Sequence, residues 1–367
     1  MDTKIKTVDY RPLADSIITL MNANNIGTLA ALVIKDGEIK FAEGFGPVSS
    51  NNSLQTNAAT QFVTSSISKL LVSVAIMQQY EQGKFGLDDD MSDLLGFTLR
   101  HPKYPDIKIT PRMLMSHRAG MNHPLPNQAP NAFRSLPDQN NMTLFPWIMD
   151  IFDQNYPLYD AGIWSDKQPG SEHSNANTGM VLMAYLVEKF SKQNYADYVR
   201  EHIFIPLGME KSSYRRSQID TNNYAPIILP NQSELFNFTY HHFYPAGFAM
   251  MSVIEWARFL QMMLNNGTFN NVRILKAETV DLMLTISYPN AGLAFDSGVG
   301  LIWRTMGKNH DWIGHTAGGL MTGSTDINRT EKIGIAIFTN KRGELSVTPD
   351  PYAGSIYKLI HDYALSH

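Results

Sequence analysis

A chain of 367 residues with 43% apolar side chains can build two domains or one large composite one, and this composition excludes a disordered or fibrous protein. Thirty basic residues against 34 acidic ones leave a net charge of −4, so no basic surplus exists to neutralise phosphates and a dedicated nucleic-acid binder is excluded. The absence of cysteine removes disulfides, thiolate metal sites and cysteine nucleophiles together.

In chain order, Leu13 to Met21 has helical apolar spacing. Thr28 to Ile34 reads as a strand, Lys35-Asp36-Gly37 as a tight turn, and Glu38 to Ala42 as the returning strand. Ser66 to Gln82 predicts a helix with Leu70, Leu71, Val74 and Met77 on its apolar face. Thr178 to Phe190 and Tyr195 to Phe204 follow the same pattern, and Asn122 to Asn141 and Arg215 to Tyr244 read as long loops. Val299 to Arg304, Thr325 to Ile327 and Ile333 to Thr339 read as strands, and Tyr352 to Leu365 as a closing helix. The two ends of the chain are therefore expected to share one sheet. No run of about 18 apolar residues occurs, so no membrane span is expected. The opening Met1-Asp2-Thr3-Lys4 has no apolar signal core. This places the protein in the cytoplasm if Met1 is its native start, and in the periplasm or outside if a leader was removed.

Metal and nucleotide signatures are missing: no HExxH, no Walker loop and no EF-hand spacing occurs. The adjacent His241 and His242 point to different sides of any regular element and make a poor chelate. No metal or other cofactor is expected.

The informative segment is Ser66-Ile67-Ser68-Lys69 at a predicted helix start. The i, i+3 spacing puts hydroxyl and ammonium on one face. The helix N-terminus adds free backbone N–H groups and a positive dipole end, which favour a serine alkoxide and a developing oxyanion. The four residues alone do not distinguish a nucleophile from a solvated helix face, because Ser355-Ile356-Tyr357-Lys358 repeats the spacing without supporting context.

The wider text around Ser66, FVTSSISKLLVSVAIMQQYEQGKFGLDDDMSDLL, resembles the serine β-lactamase and penicillin-binding-protein superfamily. It is most similar to the class C β-lactamase and family VIII esterase branch, which reads roughly F-x-x-G-S-x-S-K followed by L-x-x-x-G-x-L-x-L-D-D. Further blocks agree in order: ITPRMLMSHRAGM from Ile109, Pro206-Leu207-Gly208-Met209, AGFAMMSVIEWARFL from Ala246, Gly314-His315-Thr316-Ala317-Gly318, and IAIFTN from Ile335. The resemblance implies an α/β (α+β) fold, an antiparallel sheet flanked by helices with an inserted, mainly helical domain. Residues 1–60 and 253–367 would form the sheet domain and 61–252 the helical one, with the site in the cleft between them.

The resemblance further implies Ser66 as the acylated nucleophile and Lys69 as its base. His315 takes the place of the third motif's Lys/His, with Thr316 beside it for substrate binding. The oxyanion-hole N–H groups become those of Ser66 and Gly318, and Ala317 occupies the motif's glycine. The second motif, Tyr-x-Asn, is broken. An ungapped match puts Asn175 at the tyrosine and Asn177 at the asparagine, and Asn177-Thr178-Gly179 then fits the following helix. Asparagine has no titratable proton. A two-residue gap instead puts His173 at the tyrosine position, and Tyr156 and Tyr159 are other candidates to replace it. The implied function is a serine hydrolase that forms an acyl-enzyme from small-molecule esters or D-amino-acid-containing amides or peptides. The broken motif leaves two alternatives open: a weak or inactive homologue binding acyl or peptidoglycan-like ligands, and an acyltransferase. A neutral histidine in place of a charged lysine at His315 further predicts a preference for substrates without a free carboxylate.

Overall fold

The segment Leu29–Lys35 is apolar at nearly every position because both of its faces are covered. In the computed structural model, which describes residues 10–49, 52–123, 142–228, 233–235, 242–293, 296–306, 311–319, 321–341 and 356–366, it is β1. A helix over Arg11–Ala23 (α1) precedes it, and the turn at Asp36 and Gly37 returns the chain as β2 (Glu38–Phe45). The middle of the chain carries α2 (Lys69–Glu81) and α3 (Asn177–Ser191). Then follow α4 (Val253–Leu264), β3 (Tyr288–Leu293), β4 (Asp296–Val299), β5 (Arg304–Met306), β6 (Trp312–Ala317), β7 (Gly323–Asn328), β8 (Ile333–Thr339) and α5 (Ile356–Ser366). Parts of the expected loops (residues 124–141, 229–232 and 236–241, which include His241) and Ser355 lie outside the described residues.

These strands make one eight-stranded antiparallel sheet in the order β3-β4-β5-β6-β7-β8-β1-β2. The first and last parts of the chain meet at the β8–β1 pairing, where Leu29 stands opposite Thr339 and Lys35 opposite Ile333. Alternation sorts β1 into two layers. Leu29, Ala31 and Val33 join Leu13, Ile17, Ile356 and Ile360 in a core beneath α1 and α5. Ala30, Leu32 and Ile34 join Leu260, Ala336 and Phe338 in the larger core on the opposite face, where α4 packs. The fold is therefore an α/β sandwich with an antiparallel sheet, as the sequence implied.

Two local expectations are corrected. Val299 to Arg304 is not one strand. It is the turn joining β4 to β5, since a side chain at Gly300 would press on the Met283 carbonyl oxygen at 2.5 Å, and Ile302 adopts φ +74° while donating its N–H to Met115 O at 2.7 Å. Nor is α2 amphipathic: every residue from Lys69 to Met77 is buried. A helix apolar on all sides belongs in the interior, and α2 runs through the middle of the helical layer against α3.

Candidate active site

The chain enters α2 through a 3₁₀ turn over Ser65–Ser68. In 3₁₀ geometry residues i and i+3 eclipse, so Lys69 comes directly over Ser66 and its Nζ donates to Ser66 Oγ at 2.6 Å. The turn is held from below: Ser68 Oγ accepts the Ala249 N–H at 3.1 Å. Ser65 adopts φ +41°, the left-handed region in which glycine is at ease, and glycine is what the motif of the resembling family has there. Its Oγ accepts the Met321 N–H at 3.1 Å, which ties the Ser66 turn to the segment just past Gly318.

Lys69 is fully buried. Burial first, and then the positive charge of Arg304, lower its ammonium to about 7, so a large neutral fraction exists at neutral pH. The amine can then take the serine proton.

The wall facing this turn is β6, which packs against the Ser65–Ser68 segment. His315 is buried on it, and its Nδ1 donates to the Thr316 carbonyl at 2.7 Å, leaving Nε2 as an acceptor. Burial, then Arg304 and Lys69, hold this imidazole well below its usual range, so it is neutral. Ala317 is buried opposite Gly323, so no side chain confronts its methyl group across the ladder. Gly318 follows directly, half-buried.

Arg304 brings a positive charge to this wall. It sits on β5 opposite Gly314 and reaches diagonally to hydrogen-bond Thr316 Oγ1. Its charge bears on Lys69, His117, His173 and His315 alike. Sequence reasoning passed over it because its place in the site depends on the β5–β6 pairing.

The stretch that the resemblance matches to the second motif lies just ahead of α3. Asn177 is the first residue of that helix, and Thr178 Oγ1 donates to Asn122 O at 3.0 Å. Asn175, which the ungapped match sets at the tyrosine, is exposed. His173 is half-buried with its imidazole pushed down to about 4, chiefly by burial and then by Arg304. Tyr156 is exposed and Tyr159 accepts from Trp164 Nε1 at 2.9 Å. The group packed against the motif is instead His117. Its Nδ1 accepts the Ala176 N–H at 3.2 Å, its carbonyl accepts the Ser174 N–H at 2.7 Å, and its ring meets that of His173 edge-on at 5.4 Å. His117 lies inside the block ITPRMLMSHRAGM, where nothing in the spacing marks a chemical role.

Among the described residues no cluster of histidine and carboxylate side chains could hold a metal ion, and no helix is long and apolar enough to cross a membrane.

A serine under a buried lysine, faced by a His-Thr strand on an antiparallel sandwich, defines the serine hydrolases built on this fold. The chain belongs to the beta-lactamase family, whose model matches residues 13–356. It is 25% identical over 283 residues to a Bacillus subtilis protein named as a penicillin-binding protein, PbpX; the match covers 73% of this chain and 62% of that protein. The chain thus spans less than two thirds of that relative's length. Among solved structures, the octameric penicillin-binding protein homologue from Pyrococcus abyssi superimposes with a TM-score of 0.77 at 23% identity, covering 97% of this chain and 78% of that one. EstCE1, described as a hydrolase with promiscuous acyltransferase activity, gives 0.73 at 16% identity, covering 96% and 97%. At these identities the structural likenesses establish the fold.

Proposed function

We propose that the protein is an acyl-enzyme hydrolase of amides, peptides or esters that carry a free carboxylate beside the reacting carbonyl. The observation that carries the catalytic half is the 2.6 Å contact between Ser66 Oγ and a fully buried Lys69 whose ammonium is lowered to about 7. The neutral amine takes the Ser66 proton as Oγ bonds to the carbonyl carbon. The tetrahedral oxyanion rests on the N–H groups of Ser66 and Gly318. Collapse breaks the bond to the leaving group, which receives the proton from the Lys69 ammonium. A water molecule then repeats the sequence on the acyl-enzyme, with Lys69 again carrying the proton.

The substrate half rests on Arg304. A permanent guanidinium bonded to Thr316 sits where the third motif lines the cleft, and a carboxylate is the complement of that pair. This reading replaces the expectation of carboxylate-free substrates. The test compares kcat/KM for a peptide-like ester bearing a free carboxylate with its carboxamide analogue, in wild type and in Arg304→Gln. The carboxylate substrate should lose about 10- to 100-fold more than the carboxamide in the variant, the worth of one charge-assisted hydrogen bond, and any loss common to both reports the rise of the Lys69 ammonium once the Arg304 charge is gone. Equal losses for both would refute the anchor and leave the Ser66 chemistry standing.

A further inference from the structure

Ladder partners set Tyr288, Val299, Arg304 and Gly314 in one row across the sheet, from β3 through β4 and β5 to β6. Residues directly opposite in an antiparallel ladder point to the same face. Tyr288 and Val299 therefore continue the surface on which Arg304 reaches Thr316. Strands lie about 4.8 Å apart, so Tyr288 stands roughly 10 Å beyond Arg304 on the side away from β6. That continuation is covered. Val299 is only 1% exposed. The Arg118 guanidinium lies over the Tyr288 ring at 4.1 Å, within cation–π range, and also donates to the Ser171 carbonyl. Backbone bonds fix the segment around Arg118. The Ile302 N–H on the β4–β5 turn donates to Met115 O, the Gly170 N–H to Arg118 O and the Ser174 N–H to His117 O, each at 2.7 Å. The charges of Arg304 and Arg118 both reach His173, so the two guanidiniums flank the same stretch ahead of α3. Arg118 thus joins that stretch to the edge strand of the sheet.

Resting on the reading of Arg304 as the anchor of a substrate carboxylate, we propose that Arg118 and Tyr288 close the cleft beyond that anchor and limit the leaving part of the substrate to one terminal unit. The acyl part stays bonded to Ser66 and extends the other way. A leaving part that continues past Arg304 along the row runs into the buried Val299 and then into the Arg118–Tyr288 contact. The enzyme is then exo-acting: it removes the last unit of a chain that ends in a carboxylate and does not cut within one. Both halves of the wall are needed, because Tyr288 comes from the edge of the sheet and Arg118 from the segment bonded to residues 170–174.

The test uses esters of a single N-acyl amino acid with three leaving groups: a 2-hydroxy acid, its primary carboxamide and its glycinamide. The last two are uncharged and differ only in length beyond the anchor, so the ratio of their kcat/KM values reads the closed end and not the charge. In wild type the glycinamide ester should be disfavoured about tenfold or more, the cost of forcing an extra group against a packed wall. In Tyr288→Ala the ratio should approach unity. In Tyr288→Phe, which keeps the ring beneath the guanidinium, it should stay at the wild-type value. A ratio near unity in wild type would overturn the proposal, as would relaxation in Tyr288→Phe. So would an unchanged ratio in Tyr288→Ala, even with both rates lowered, since that makes the contact merely structural. Should Tyr288→Ala not fold, Arg118→Ala removes the other half of the wall and is judged by the same ratio. The 2-hydroxy acid ester against its carboxamide, in wild type and Arg304→Gln, tests the anchor separately. Failure there strikes the carboxylate reading, while the length ratio between the two uncharged esters stands or falls on its own.

Discussion

In the proposed reaction Lys69 carries the proton, and its burial opposes stability. Its ammonium titrates near 7 in the folded chain against an ordinary value of 10.5. Below pH 7 both states hold the proton and the folded state bears the full cost of a buried cation. Between about 7 and 10 the unfolded chain binds more protons, so stability rises with pH across that window. Lys69→Met should therefore abolish acylation while raising the melting temperature, with the gain largest below pH 7 and fading toward pH 10. Thermal scans at pH 6 and pH 9.5 check this; an equal gain at both would show that the lysine is not desolvated. Acylation in the wild type should rise to a plateau with its midpoint near pH 7. Ser65 has a comparable dual character. Its left-handed backbone costs about 1–2 kcal/mol, and its hydroxyl satisfies the buried Met321 N–H. Ser65→Ala keeps the strain and loses the bond, so it should destabilise by about 1–3 kcal/mol. Ser65→Gly loses the bond but releases the strain, so urea denaturation should place it closer to wild type than Ser65→Ala.

At the scale of elements, pairings decide what the site contains. The S-x-x-K and His-Thr segments were singled out by the resemblance of the wider text rather than by their own spacing, and the fold packs β6 against the Ser65–Ser68 turn. Arg304 was not, because it acts on Thr316 only through the β5–β6 register. His117 was not, because an αL histidine buried against Ala176 leaves no periodic trace. The helix over 69–81 was legible in place but not in character: spacing suggested one apolar face, and the fold buries all sides. The break after Val299 escaped because a strand-like apolar run hides the close approach at Gly300. The β6–β7 register makes Gly314 sensitive. It stands opposite Asp326 on β7, and an added Cβ would overlap the Thr325 carbonyl. Gly314→Ala should displace β6 beside His315, costing about 2–4 kcal/mol and most of the activity. A melting temperature within a degree of wild type would contradict the packing described.

For the whole molecule, the two ends of the chain close the structure on the sheet face that carries α1 and α5. Asp326 on β7 is completely buried; Tyr357 donates to it and His361 Nε2 lies 3.1 Å from it, both from α5. Removing the hydrogen bond that a buried carboxyl oxygen accepts costs about 1–3 kcal/mol. Tyr357→Phe should therefore lower the melting temperature while leaving Ser66 reactive at temperatures where the variant is folded, because α5 packs on the face away from α2 and α4. Loss of reactivity in a fully folded variant would show that the two faces are coupled. The account as a whole rests on Ser66 being acylated with Lys69 as its base. The most direct measurement is the intact mass, followed by peptide mapping, after exposure to a fluorophosphonate at pH 8. One adduct per chain is expected, on the peptide carrying Ser66, absent in Ser66→Ala and in Lys69→Met. No adduct in the wild type, or an adduct on another serine, would contradict it.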